Sequence, residues 1–355
     1  MAYSHPVISA ARPSPRCRVA ILGASGYTGA ELLRLCAQHP HFEVVAATGD
    51  TQVGVRAASL YPSLAAHYPE LTFSAFDDAD VDGVDVAFLC LPHEASLSLV
   101  PQLVGRVGCV VDLSAAYRLK DPSLYPRWYH FDHDQPALLA EAVYGLPERH
   151  RAELAGARLV ATPGCHVTAA TLALAPLVDA GLVERSGIVV DSITGVSGAG
   201  RGLTHASQFC TVDADVRAYG LLDHRHTPEI EQEVGAQVVF TPHLAPMNRG
   251  ILATCYARPA AGTAPPTATL LATLARRYEG EPFVVVRPAP PSTKATLGTN
   301  AAHLTARHDP RTGWIVALCA IDNLTKGAAG GAVQAANVAL GWDETAGLSR
   351  VGLYP

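Results

Sequence analysis

The sequence predicts an α/β protein of two domains: a parallel sheet flanked by helices, then an α+β unit on a mixed, largely antiparallel sheet. Three observations carry this reading. A buried-strand run, Cys17 to Leu22, meets three glycines, a helical pattern over Ala30 to Gln38, and a second strand over Phe42 to Ala47, which together make a βαβ unit. Two more apolar runs, 84–91 and 107–113, end in loops carrying His93 and Glu94 or Tyr117 and Arg118. Beyond residue 187 the runs 188–193, 238–241, 251–257, 283–286 and 314–321 alternate or stay apolar, as strands of the second sheet should. The chain closes with Lys326-Gly327-Ala328-Ala329-Gly330-Gly331 and a helical run to Leu340, which is expected to return to the first sheet. The expected division is therefore a leader at 1–16, a first domain of 17–164 with 326–355, and a second of 165–325.

Composition narrows the function classes. The 355 residues are 49% hydrophobic and 16% charged, enough for two packed cores. A formal net charge of -6 gives no basic footprint for nucleic acid or an anionic membrane. No apolar stretch approaches the ~18–20 residues of a membrane span. The Pro- and Arg-containing leader reads as disordered and not as a secretory peptide. Eight cysteines without a C-x-x-C pair argue against zinc and a disulfide scaffold, and fit a reducing cytoplasm.

The glycine triplet is the first site with chemistry. In Gly23-Ala24-Ser25-Gly26-Tyr27-Thr28-Gly29, Gly23 permits the tight turn, Gly26 lets backbone amides approach a pyrophosphate, and Gly29 lets the helix lie close to the sheet. A bare structural turn is the alternative; the βαβ context favours a dinucleotide.

The second is Cys165. A strand-like run, 157–161, reaches a Pro163-Gly164 turn and then an Ala/Leu-rich helical pattern to Leu177, which puts Cys165 at a helix start. Free N–H groups and the helix dipole there favour a thiolate, the form that attacks acyl carbons. An isolated cysteine in that place would more often be a small buried apolar residue. The third is Asp223-His224-Arg225-His226, whose two histidines and arginine suit anion holding and proton transfer. A metal would need a third ligand of clear spacing, which the chain lacks. His243, alone beside a strand, reads as structural. Arg118 and Arg201 each end a loop of small residues, where a guanidinium fork would hold carboxylate or phosphate unless it simply pairs with a surface acid. Arg225 and Arg249 are further options.

The stretches GASGYTGAELLRL, PGCHVTA, GVSGAGR, HRHTPEI and AIDNLTKGAAGGAVQAANVALGW, in this order, resemble the N-acetyl-γ-glutamyl-phosphate reductases of arginine biosynthesis, from about Cys17 to Pro355. The resemblance implies a Rossmann domain joined to a catalytic domain like those of glyceraldehyde-3-phosphate and aspartate-semialdehyde dehydrogenases. It implies NADPH as cofactor, a small acyl-phosphate substrate and a homodimer or homotetramer. It places the nucleophile at Cys165 and the acid/base at His226. Arg118, Arg201 and His224 then hold substrate, and Gly23, Ala24, Ser25, Gly26, Tyr27, Thr28, Gly29, Thr48, Thr51 and Asn323 hold the cofactor.

Three departures stand out. The residue after the nucleophile, usually aromatic, is His166. The loop often read Ala-Asp-Phe-Arg-Leu is Ala115-Ala116-Tyr117-Arg118-Leu119, without its acid. Where relatives carry Ser or Arg for a 2′-phosphate, this chain has Thr48-Gly49-Asp50-Thr51, and the acid leaves NAD open. Two rival functions differ in consequence. A carrier-linked aminoadipyl-phosphate reductase of lysine biosynthesis tends to lack Pro163 and the Arg201 ending. A non-catalytic redox sensor would not need both Cys165 and His226.

Overall fold

The structure is a computed structural model and describes residues 16–354 apart from 78 and 80. The expected leader lies, but for Arg16, outside the described residues.

The first sheet holds β1 (Cys17–Leu22), β2 (Phe42–Ala47), β3 (Val86–Leu89), β4 (Cys109–Asp112), β5 (Val143–Tyr144) and β6 (Leu159–Ala161). Their order is β2-β1-β3-β4-β6-β5, every pair parallel. All residues of β3 and β4 are buried, because helices cover both faces; this is why the sequence shows unbroken apolar runs. The strands are shorter than those runs, since Leu91 and Leu113 already belong to the loops. Strand order reverses between β1 and β3, and the crevice outside their carboxyl ends is where such sheets bind ligands.

The helix after β1 spans Tyr27–Cys36 with Gly26 as its N-cap, starting three residues before the expected Ala30. Its apolar stripe becomes legible only at Leu32, so periodicity misses the first turn. Gly23 has φ +82°, and a Cβ there would meet the Cys90 carbonyl oxygen at 2.5 Å; one on Gly29 would come within 2.4 Å of the Ala24 Cα. The turn is thus closed to larger residues at both ends. The last helix, Gly330–Ala339, lays Ala332, Val333, Ala335 and Ala336 into the same core as β1, β3 and β4. A π-helical turn, Thr325–Ala329, leads into it, where the sequence shows Lys326 among small residues.

The second sheet contains β7 (Ile188–Gly195), β8 (Arg217–Ala218), β9 (Val238–Ala245), β10 (Ile251–Ala257), β11 (Val284–Val286), β12 (Ala302–Asp309) and β13 (Trp314–Ile321). The order is β11-β12-β13-β10-β7-β9-β8; β7–β9 and β11–β12 are parallel and the other four pairs antiparallel. The mixed, largely antiparallel sheet expected from the alternating runs is present. β12 has no counterpart among the expected strands: its inward row, Ala302, Leu304 and Ala306, is mostly alanine, and that row ends at His308.

The helix Cys165–Asp179 packs on this sheet, with every residue from His166 to Val178 buried. Its Leu172, Leu174 and Leu177 are no more than 1% exposed, each contributing roughly 2 kcal/mol by burial. That packing holds Cys165 at the end facing the first sheet. A polar seam locks the halves together: Arg249 of the second reaches Glu31 of the first at 2.8 Å, and Asp322 at 3.6 Å. Within the first half, Lys326, 1% exposed in its side chain, reaches Glu148 at 2.5 Å.

Candidate active site

The glycine loop, the start of the Cys165 helix and the loop after β7 converge on a cleft of about 340 Å³. Gly26, Tyr27, Arg118, Cys165, Arg201 and His226 all line it. Cys165 is the first residue of its helix, as expected, after the Gly164 N-cap. Burial pushes its thiol up to about 11, against the His166 backbone N–H and the Arg118 charge, which both favour the thiolate. The helix-start effect inferred from sequence is therefore present, but desolvation outweighs it, and the resting group is a thiol.

His226 begins the helix His226–Val234. Its ring lies against Gly164: a Cβ on that glycine would come within 2.4 Å of Nε2. Only glycine before the nucleophile lets the imidazole sit this close. Burial, His224, His166 and two arginines hold His226 well below the usual histidine range, so it is neutral and able to accept a proton. Its Nδ1 is buried without a hydrogen-bond partner among the described residues.

Behind these two stands a wall the sequence only partly announces. His166, 1% exposed, is hydrogen-bonded to the Ser192 hydroxyl at 2.7 Å and the Tyr219 hydroxyl at 3.0 Å. Its ring centroid lies 5.7 Å from that of His226 and 5.9 Å from that of His224. Burial and the neighbouring His224 hold His166 down to about 3. His224 accepts the His226 backbone N–H at 3.1 Å and is held down to about 4, chiefly by burial. It is not among the residues lining the cleft, and any contact with an anion would be made as a neutral ring. Among the described residues, no group of three His, Cys, Asp or Glu is placed to hold a metal ion.

Glu229, absent from the sequence candidates, organises the nucleophile loop. It is fully buried, accepts the Gly164 backbone N–H at 2.9 Å and the Tyr144 hydroxyl at 2.6 Å, and faces Arg118 at 3.4 Å. Its signal was available: it lies one helical turn after His226, on the face that carries the acid/base candidate. Arg118 also donates through Nε to the Thr162 carbonyl at 2.6 Å and through Nη2 to the Leu113 carbonyl at 2.9 Å. It is thus a wall of the cleft with its charge partly spent on Glu229. Of the other arginines, Arg225 contacts His93 at 2.6 Å and Arg249 is held in the seam.

The cofactor candidates divide. A second cavity of about 440 Å³ holds Gly23, Ser25, Thr48, Asp50 and Thr51 at the end of β2. The Thr48 hydroxyl accepts the Gly23 backbone N–H at 3.1 Å, so it braces the loop. Ala24 is buried beneath the turn. Asn323 accepts the Gly250 N–H at 2.8 Å and donates to the Ser197 hydroxyl at 3.0 Å, fixing the loop opposite Cys165. The helix after Gly26 has no side-chain cap and no acid in its first turn, so its free N–H groups fit a phosphate.

Comparison with known proteins agrees with this layout. Residues 18–157 match the model of the semialdehyde dehydrogenase NAD-binding domain, and 165–323 that of the semialdehyde dehydrogenase dimerisation domain. The N-acetyl-gamma-glutamyl-phosphate reductase of Desulforudis audaxviator is 47% identical over 347 residues, covering 95% of this chain and 99% of the relative. The chain belongs to the N-acetyl-γ-glutamyl-phosphate reductase family. The reductase of Jannaschia sp. is likewise 47% identical over 348 residues, with the same coverage. Among solved structures, aspartate semialdehyde dehydrogenase II of Vibrio cholerae aligns with a TM-score of 0.69 at 17% identity, over 92% of this chain and 99% of that one. The Candida albicans aspartate semialdehyde dehydrogenase with NADP aligns at 0.67 and 14%, over 91% and 98%. These two share the fold.

Proposed function

We propose that this chain reduces N-acetyl-L-glutamyl 5-phosphate to N-acetyl-L-glutamate 5-semialdehyde and phosphate, through a thioester on Cys165, in arginine biosynthesis in the cytoplasm. The observation that carries the reading is one cleft onto which a helix-start cysteine, a neutral histidine and a dinucleotide loop all open. The names of relatives at this identity support the substrate. The Pro163 and Arg201 positions favour it over a carrier-linked aminoadipyl phosphate.

Each residue has a task. His226 takes the Cys165 proton as Sγ bonds to the acyl carbon, and passes a proton to the departing phosphate as the C–O bond breaks. The His166 N–H and the rest of the first turn face the developing oxyanion, where one such donor is worth roughly 3–4 kcal/mol. When bound, the nicotinamide supplies hydride to the thioester carbon. The C–S bond then breaks to give aldehyde, and the proton that restores the Cys165 thiol comes through His226. Arg118, which lines the cleft, stands nearest the substrate's charges, and His224 supports His226 from behind.

The dinucleotide is taken as NADP, with Asp50 and Thr51 at its adenosine end. The second sheet turns a partly buried, mostly apolar face outward, with Ile193 beside Leu252, Leu318 and Asp191 flanking Thr254, and Val189 beside Tyr256 and Val316. We assign this face to a second copy of the chain, in a homodimer or homotetramer; Leu252→Arg should yield monomers by light scattering, and an unchanged mass would dismiss the face. The test of the activity is the phosphate-dependent reverse reaction, run with NADP and NAD and with acetylglutamate and aminoadipate semialdehydes. Turnover of the acetylglutamate compound with NADP is expected; preference for the aminoadipate compound, or none, would overturn it.

A further inference from the structure

Four residues line both the cleft at Cys165 and the cavity at Asp50: Gly26, Cys90, Leu91 and Arg201. A dinucleotide stretched across the two cavities has its diphosphate at their junction, over the Gly26 N-cap. Arg201 is the cation at that junction, although it comes from the other half of the molecule.

Its placement is built. The 3-10 turn Val196–Ala199 after β7 is pinned by the Val196 N–H on the Met247 carbonyl at 2.8 Å and by Asn323 on Ser197. Gly200, at φ +83°, then redirects the chain toward the glycine loop. Arg201 Nε is buried and has no hydrogen-bond partner among the described residues, whereas Arg118, Arg225 and Arg249 are all engaged. Its charge is felt by Tyr61, whose hydroxyl donates to the Ser25 carbonyl in the glycine loop. The loop itself, Gly23 to Gly29, has no basic residue, so its amides alone would face two phosphate charges.

We infer that Arg201 is a cofactor-binding residue that clamps the dinucleotide's diphosphate from the second domain, in place of the substrate-holding role its motif first invited. The inference rests on the reading of this fold as a dinucleotide-dependent reductase.

The test is equilibrium binding, by nucleotide fluorescence without substrate, of NADPH and NADH to the full chain, its Arg201→Ala variant and its Arg201→Lys variant. Loss of one charge-assisted contact predicts that both dissociation constants rise by the same factor, about tenfold, with partial recovery in the lysine variant. A loss confined to NADPH would move Arg201 to the 2′-phosphate and overturn the inference. Unchanged binding, with only the KM for acyl phosphate raised, would return it to the substrate. Failure of the unaltered chain to bind either nucleotide would instead overturn the functional reading itself. Matching thermal melts of the three proteins exclude misfolding as the cause.

Discussion

Gly164 controls the geometry between nucleophile and base. Its φ of -64° and ψ of 148° are open to any residue, so Gly164→Ala should fold normally. The added methyl would nonetheless meet the His226 ring and push it from the cysteine. A displacement of about 1 Å at a reacting pair can cost on the order of 100-fold in rate, so kcat should fall by that order while NADPH affinity stays put. Steady-state kinetics beside a binding titration would check this, and an undiminished kcat would remove His226 from proton transfer. At this scale the sequence was partly legible. Cys165 and His226 sit in motifs whose neighbours betray them. Tyr219 does not, because only folding brings His166 to it; Glu229 is marked by its place one turn after His226, but its bond to Gly164 also appears only on folding.

Among elements, the π turn Thr325–Ala329 does two things at once. It brings Gly327 against Cys165, where a Cβ would lie 2.9 Å from the cysteine Cβ, and it sinks Lys326 onto Glu148 and Gln334. Lys326→Met would leave the Glu148 carboxylate buried without its counter-charge, a change that costs about 3–5 kcal/mol. Adding Glu148→Gln should restore much of that loss. Chemical denaturation of the two variants measures it, and equal stabilities would show that the pair contributes nothing. The βαβ unit and the Cys165 helix were readable because apolar period and glycine punctuation coincide there. β12 was not, since two of its three inward side chains, Ala302 and Ala306, are alanines with little strand preference, and the π turn has no periodic signature at all.

For the whole molecule, several histidines are kept neutral by burial, two of them, His166 and His224, side by side at the active site. His39 and His224 are held down to about 4, and His93 and His166 to about 3. Each binds its proton more readily in the unfolded chain, near the ordinary value of about 6.5. Stability is therefore intact above that pH and is lost as pH falls from about 6.5 toward the folded values, by roughly 1.4 kcal/mol per pH unit for the fully buried His166. Melting temperatures between pH 7 and 5 should drop steeply, and less so in His166→Phe. A flat profile would mean these rings already carry charge when folded. The two-sheet plan was legible from strand spacing, whereas the meeting of the sheets at one cleft was not, because the Arg249 seam that fixes it joins residues 31, 249 and 322 across the chain.

The most direct test of the account is mass spectrometry of the protein after incubation with N-acetylglutamyl phosphate and no reduced cofactor. A gain of one acetylglutamyl group on the peptide bearing Cys165, with phosphate released and no gain in Cys165→Ser, is the predicted result. Phosphate release without an adduct, or an adduct on another residue, would contradict the thioester at Cys165.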